Sequence, residues 1–412
     1  MLDLDFIREN LELVKSSCAQ RRFEFDADNF IVLDDRRRAI IKTINDLRQS
    51  RNKLSDRNDA APKQIMEEGR ALKVKIKESE DILKNIENNL IIIVNSIPNI
   101  LLPSVPEGNN EKDNIVLREY GVLPKFDFNF KSYLELGEDL NLIDIPRATK
   151  IAGSRFSYLK NELVLIQFAL LDLVFEIARR FDFQPVIPPV MIKPDLMEQL
   201  GYTSLKESNI YLIEKDELNL VGTAEQSIAA MHQEETLSDL PKRYIGYSTC
   251  FRREAGTYGR ELKGILRVHQ FDKAELFSFC HPEKSQEEHD LFIQLEEEIM
   301  QSLNIPYRVV ALSSGDLSKP SATTVDIESW LPSESRYLET HSSSNCTDYQ
   351  ARGLNIFCRN DNKLTPVHTV NGTALAMSRI LAVILENYQQ ANGSIAIPKV
   401  LQNRLNFKNI SK

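Results

Sequence analysis

The sequence predicts an α+β protein in two parts: an N-terminal antiparallel coiled-coil arm, then a larger domain containing antiparallel strands. Three observations carry this expectation. Two heptad-patterned stretches lie either side of a short polar break within the first 95 residues. The segment Ile97–Gly108 then ends the helical region with Pro98, Pro103 and Pro106. Further on, Tyr244–Phe279 reads as two strands joined by a charged loop marked by Gly256, Gly259 and Gly264. The boundary is expected near residue 103, giving a helical domain 1–103 with its arm at about 33–95, and a second domain 104–412.

Bulk composition sets the limits. At 412 residues and 42% apolar content the chain can bury a large core. A net charge of −9 argues against a general nucleic-acid coat and confines any RNA contact to a local basic patch; no DNA partner is expected. Five cysteines, with no C-x-x-C pair, supply neither a zinc site nor a disulfide framework and suit a reducing compartment. The start, MLDLDFIREN, lacks the apolar core of a signal peptide. The longest apolar runs, such as Leu90–Val94, are far too short to span a bilayer. A cytoplasmic protein without a membrane segment is expected.

Taken in order, residues 3–18 read as one short helix capped by Asp3 or Asp5. From Leu33 a long helix carries the seam Leu33, Arg37, Ile40, Ile44, Leu47, Arg51 and Leu54. The break Ser55–Pro62 supplies turn residues. The seam resumes with Leu72, Ile76, Ser79, Leu83, Ile86, Leu90 and Ile93. Residues 36–57 hold eight Lys/Arg against Asp46 and Asp56, a net of +6, whereas 63–87 balance six against six. A charged helix face is ordinarily solvated surface. The alternative here is contact with RNA phosphates, weakened by salt. Residues 109–160 read as an extended connector. Residues 161–180 form an amphipathic helix that leads into a strand ending at Pro188–Pro189.

The chemistry concentrates in four stretches. In the hairpin, Cys250, Arg252 and Glu254 share one face of the first strand, and Arg267, His269, Phe271, Lys273, Glu275 and Phe277 share one face of the second. A charged hairpin face is usually solvated. The interleaved aromatics argue instead for a site that clamps a phosphate, stacks a base and holds an amine. Leu218–Ser227 is a strand running into a helix start, where Thr223 and Glu225 serve as caps on the simpler reading. In Tyr337–Arg352 the carboxylate of Glu339 and the hydroxyl of Ser342 are hard oxygen ligands suited to Mg²⁺. Finally, Asn371–Gly372 is read as preceding an apolar helix whose one arginine, Arg379, either snorkels to water or meets a phosphate.

The wording FRREAG…GILRVHQFDKAE resembles motif 2 of the class II aminoacyl-tRNA synthetases in its seryl version, and helix 161–180 with its strand is similar to motif 1. Arg379 in its helix, with Asn371–Gly372–Thr373 before it, matches motif 3. The resemblance covers essentially the whole chain and points to the bacterial-type seryl-tRNA synthetases. It implies a class II catalytic domain on an antiparallel sheet flanked by helices. The implied activity is formation of seryl-adenylate from L-serine and ATP, then transfer to tRNA(Ser), with tRNA(Sec) a further substrate where the organism has one. The implied assembly is a homodimer with tRNA bound across subunits. Serine recognition falls to Thr223, Ala224, Glu225, Arg252, Glu275, Asn371 and Thr373. ATP falls to Arg252, Arg253, Glu254, Val268, Phe271, Glu339, Thr340, His341, Ser342 and Arg379, with Mg²⁺ on Glu339 and Ser342. The roles implied are α-phosphate and carboxylate bridging by Arg252, γ-phosphate binding by Arg379, and adenine stacking on Phe271, with Arg379 on the other face. The sequence departs from the family pattern at Ser343, where cysteine is expected, and at Gly353, where a second arginine is common. Two rivals remain: a relative that loads a carrier protein, which would lack the arm, and a non-catalytic RNA-binding scaffold, which would have lost Arg252, Glu339 or Arg379.

Overall fold

The computed structural model describes residues 1–55, 62–202, 209–254, 264–360 and 363–412. They form two compact units, Leu2–Pro98 and Asn99–Lys412.

In the first unit, the expected single helix at 3–18 is two. Helix α1, Leu4–Glu9, is capped by the Asp3 carboxylate, which accepts from the Asp5 and Phe6 amides at 2.9 and 3.1 Å. The chain breaks at Asn10, whose side-chain amide donates to Phe6 O and so competes with the helical backbone. Helix α2, Leu11–Gln20, follows. The long helix α3 starts earlier than expected and spans Ala27–Ser55, because Asp26 Oδ1 caps the Asn29 amide at 3.0 Å. Helix α4 is Pro62–Ser96. The two pack as a pair, with Ile44, Leu54, Ile76, Ile86 and Leu90 of the seam buried, and Arg48 reaches Glu80 across it at 2.7 Å. The turn residues Asn58 and Asp59 lie outside the described residues.

Among the described residues of this unit, one charge is fully buried. The Asp34 carboxylate is inaccessible to water and is held by Arg8 at 2.9 Å, Arg37 at 3.0 Å and Arg38 at 2.8 Å. Burial opposes its ionisation, but the three guanidiniums together outweigh it and keep the carboxyl below its usual range.

The second unit is built on an eight-stranded sheet. Its elements in chain order are β1 Ile115–Tyr120, α5 Tyr133–Asp139, α6 Ile145–Ala152, α7 Glu162–Arg180, β2 Gln184–Val186, α8 Pro194–Gln199, β3 Leu218–Leu220, α9 Ala224–Ala230, β4 Lys242–Phe251, β5 Gln270–Cys280, α10 Ser285–Leu303, β6 Tyr307–Ala311, β7 Thr323–Leu331, β8 Arg336–Thr347, α11 Tyr349–Leu354, β9 His368–Ala376 and α12 Met377–Asn387. The spatial order is β1-β6-β7-β8-β9-β5-β4-β2, antiparallel throughout except the edge pair β2–β4. Helices α7, α10 and α12 supply much of the apolar core, through residues such as Leu170, Phe292 and Leu381.

Several expectations are corrected. Residues 109–160 are no plain connector: β1 is an edge strand, and α5 begins at a capping box formed by Ser132 and Glu135. The first hairpin strand stops at Phe251, so Arg252 and Glu254 lie beyond it. The return strand begins only at Gln270, which leaves Arg267 and His269 off its face. The loop residues 255–263 lie outside the described residues. Asn371–Gly372 precedes α12 as expected but is not at its start: it lies inside β9, five residues upstream.

Asp34→Ala would leave three arginines facing a missing carboxylate. We expect a loss of about 1–3 kcal/mol from the helical unit, less than for a fully buried pair because Arg8 and Arg38 reach water. Urea unfolding followed by hydrogen exchange in α3 and α4 measures it; an unchanged midpoint would show that Asp34 is not what anchors the base of the arm.

Candidate functional site

The open face of the sheet is where the sequence motifs converge. Strand alternation puts Phe271, Lys273 and Glu275 of β5 on that face, and Asn371 and Thr373 of β9 stand beside them. Glu339 and Ser342 pose a geometric problem, since residues three apart in a regular strand point to opposite faces. A β-bulge resolves it. Asp326 pairs with Ser342 and Ile327 with His341, but Glu328 pairs with Glu339, so Thr340 is the extra residue and Glu339 returns to the face of Ser342. A second bulge, at Ala374, does the same for Thr373 and Ala376.

These side chains line two adjoining cavities of about 510 and 260 Å³. Asn209, Arg252, Lys273, Glu339 and Thr373 belong to both. The larger one adds Thr223, Glu225, Glu275, Ser342 and Asn371. Thr223 caps α9 and also donates to Glu275 Oε2 at 3.0 Å, so the capping and site readings hold together. Glu275 is buried and ion-paired with Lys273; burial raises its pKa, and Lys273 opposes that rise. Glu225 accepts from Gln350 Nε2 at 2.7 Å and Asn371 Nδ2 at 3.1 Å. Desolvation, then the neighbouring charge of Glu275, pushes its pKa up to about 7.

The smaller cavity adds Glu254, Arg267, Val268, Phe271 and Arg379. The Arg252 guanidinium lies 5.3 Å from the centre of the Phe271 ring. Arg252 Nε donates to Gly222 O at 3.2 Å. Arg379 donates to Glu339 O at 2.8 Å and pairs with the Glu339 carboxylate at 3.0 Å. Burial raises the Glu339 pKa, yet the arginine charges, Arg379 first, bring it below the usual range. Glu254 adopts φ +48°, with its carbonyl accepting from Arg155 at 2.5 Å and its carboxylate 3.3 Å from Arg267. A non-glycine residue at positive φ is held there by its surroundings.

Four expected side chains stand apart. Arg253 is exposed and lines neither cavity. Ala224 packs with Ile228 in the core beneath α9. Thr340, as the bulge residue, bonds Ser329 at 2.7 Å and Ile327 O at 3.2 Å. His341 is fully buried, bonds Thr340 at 3.0 Å and has its pKa pushed down to about 3 by desolvation. Conversely, Lys273, Gln350 and Asn209 were missed. Lys273 had a signal, since it alternates with Phe271 and Glu275; Gln350 and Asn209 reach the site only through the tertiary fold.

Mg²⁺ fits the residues present. Glu339 and Ser342 offer two hard oxygens on one face, and opposite Ser342 the Asp326 Oδ1 atom is buried without a hydrogen-bond partner among the described residues. No group of three or more His, Cys, Asp or Glu there could hold a metal alone. A cation would therefore draw further ligands from phosphate and water, as Mg²⁺ commonly does. No helix among the described residues is long and apolar enough to cross a membrane.

Residues 1–101 match the seryl-tRNA synthetase N-terminal domain, and residues 210–388 match the tRNA synthetase class II core domain (G, H, P, S and T). The chain is 42% identical to the serine–tRNA ligase of Dictyoglomus turgidum, covering 98% of this chain and 97% of that one. It is also 42% identical to the serine–tRNA ligase of Treponema denticola, over 97% and 98%. Among solved structures it is similar to seryl-tRNA synthetase from Pyrococcus horikoshii complexed with ATP, with TM-score 0.92 and 39% identity over 100% and 99% of the chains. Cytoplasmic serine–tRNA ligase from Naegleria fowleri in complex with AMP superposes with TM-score 0.88 at 31% identity, over 100% and 99%.

The raised Glu225 pKa has a stability consequence. Between about pH 4.5 and 7 the folded protein retains a proton that the unfolded chain has released. The stabilisation is full below about 4.5 and is lost as pH rises through about 7. We expect the melting temperature of the ligand-free protein to fall across that window, and to fall less steeply in Glu225→Gln. Identical slopes in the two proteins would mean that Glu225 does not hold the proton.

Proposed function

Since the chain belongs to the seryl-tRNA synthetase family, we propose that its two joined cavities hold serine and ATP end to end for the formation of seryl-adenylate. Its activity is that of a serine–tRNA ligase, which joins serine to tRNA(Ser) with conversion of ATP to AMP and diphosphate. The observation that carries the site assignment is the sharing of Arg252, Lys273, Glu339 and Thr373 by both cavities. Two reactants lying in them would meet at those four residues.

In this reading Glu275 receives the serine ammonium and Thr373 the hydroxyl, with Thr223, Glu225 and Asn371 shaping the pocket. Phe271 stacks the adenine, with Arg379 on its other face. The serine carboxylate is already a nucleophile and needs no general base; it attacks the α-phosphorus, and the bond to diphosphate breaks. Arg252 aligns carboxylate and phosphate, so catalysis is positioning and charge stabilisation. Arg379 turns from Glu339 to the γ-phosphate, which frees Glu339 to act as a metal ligand with Ser342. Mg²⁺, when bound there, neutralises charge on the departing diphosphate. The backbone near Glu254 and Arg253 steadies ATP and the tRNA end.

We place the reaction in a cytoplasmic homodimer. Leu165 and Phe168 of α7 are 47% and 58% exposed, apolar surface suited to a second copy. The basic stretch 36–57 serves tRNA phosphates across the subunits, with tRNA(Sec) an added substrate where it exists.

Serine-dependent ATP–diphosphate exchange over a panel of amino acids tests the assignment: serine alone should drive exchange well above background. A faster rate with another amino acid would overturn it.

Thr373→Val removes a hydroxyl at nearly constant shape. A site that hydrogen-bonds its substrate's hydroxyl rejects the analogue lacking it by about 10⁴-fold, whereas an added methyl is resisted by only about 1–3 kcal/mol of overpacking. We expect the variant to lose discrimination against alanine more than against threonine, read as kcat/KM in exchange. An unchanged serine-to-alanine ratio would remove Thr373 from recognition.

Arg36, Lys42 and Lys53 are exposed on the basic helix. Replacing all three by Gln should leave exchange unaltered and raise KM for tRNA(Ser). It should also flatten the dependence of that KM on log salt by up to about 0.9 for each phosphate no longer neutralised. A tRNA KM and salt slope equal to wild type would assign the basic face to solvent.

A further inference from the structure

Lys273 has no role in the reaction as derived, yet it stands where the two cavities meet. Its ammonium is paired with Glu275, and the two side chains are only 7% and 2% exposed. The same Glu275 oxygen accepts from Thr223 at 3.0 Å. A buried carboxylate already in contact with one cation is not a vacant receptor for another. Adding a substrate ammonium with Lys273 still in place would set two like charges side by side in a medium of low dielectric. Withdrawing Lys273 with nothing to replace it would strand a buried anion. With Glu275 Oε2 taken by Lys273 and Thr223, exchange of the two cations avoids both costs.

Serine makes that exchange neutral in charge. It enters as a zwitterion, so its ammonium can take Lys273's place while its carboxylate offers Lys273 a new partner. The position of Lys273 suits the move, because its side chain lines the serine cavity and also the cavity of Phe271 and Arg379. An amine without a carboxylate would evict Lys273 and give it nothing in return.

We propose that Lys273 is a placeholder for the substrate's α-ammonium: it neutralises Glu275 in the empty enzyme, yields that carboxylate to the incoming amino acid, and swings onto the amino acid's carboxylate beside Arg252. The site thereby selects zwitterions through an internal cation. This rests on the reading of Glu275 as the ammonium receptor.

The test compares L-serine, a zwitterion, with L-serinamide, which keeps the ammonium and hydroxyl but has no carboxylate. Binding of each is measured by calorimetry to the full-length wild type, Lys273→Met and Lys273→Arg, with folding checked by melting. Lys273→Met should weaken serine by about tenfold and strengthen serinamide by a similar factor, since Glu275 then has no resident cation to displace. Lys273→Arg should restore much of the preference for serine. Equal weakening of both ligands in Lys273→Met would make Lys273 merely structural and overturn the proposal. Should the Met variant fail to fold, the wild type alone decides. The side-chain ammonium resonance of Lys273, followed by NMR, should shift with serine and stay unmoved by serinamide at concentrations that leave the site empty; no shift at saturating serine refutes the exchange. Glu275→Gln separates the underlying reading: it should abolish serine binding, and retained binding would show that Glu275 is not the ammonium receptor at all.

Discussion

Charge buried on a sheet survives only where each group meets an opposite charge or a set of donors, and the open face of this sheet is arranged around that requirement. Lys273 answers the buried Glu275, and Arg379 answers Glu339, whose side chain is partly exposed. Glu225 is held by the amides of Gln350 and Asn371. Gln350 is in turn oriented by Thr369, whose hydroxyl donates to its carbonyl oxygen at 2.7 Å. Glu275, Glu339 and Glu225 are thus partnered within the site itself. The same partners are the groups that serine and ATP require, so binding exchanges contacts within the site without exposing a bare charge. Preorganisation of this kind is how electrostatic catalysis avoids reorganisation during the reaction.

The two bulges make the arrangement possible. Without the extra residue at Thr340, Glu339 and Ser342 would face opposite sides of the sheet; without Ala374, so would Thr373 and Ala376. Both bulges lie on the central strands β8 and β9. The residues they displace turn into the interior, where Thr340 is satisfied by Ser329 and Ala374 is fully buried. A regular sheet would carry the same sequence and lack the site.

The first unit follows a different logic. Its helices are long and thin, and most of its surface is wet, so stability comes from the apolar seam together with the charge cluster at Asp34. Part of the positive charge along α3, at Arg36, Lys42 and Lys53, is exposed outside that seam. Contact with a polyanion can thus be tuned there without disturbing the packing that holds α3 to α4.

Much of this was legible in the chain. Heptad spacing identified the two long helices, since a seam must recur every three or four residues whatever lies around it. The prolines after Ile97 marked the end of the arm, because proline cannot continue a helix. Motif wording located Arg252, Glu275, Glu339, Thr373 and Arg379, and all five line the joined cavities. What only the tertiary structure decided was facing and partnership. Strand register, the bulges at Thr340 and Ala374 and the premature end of β4 are set by pairing with strands distant in sequence. They sent Thr340 and His341 inward and set Arg252 beside Phe271. Residue type and local spacing specify which groups are available. Which of them meet depends on contacts between segments far apart in the chain, and no local pattern encodes those.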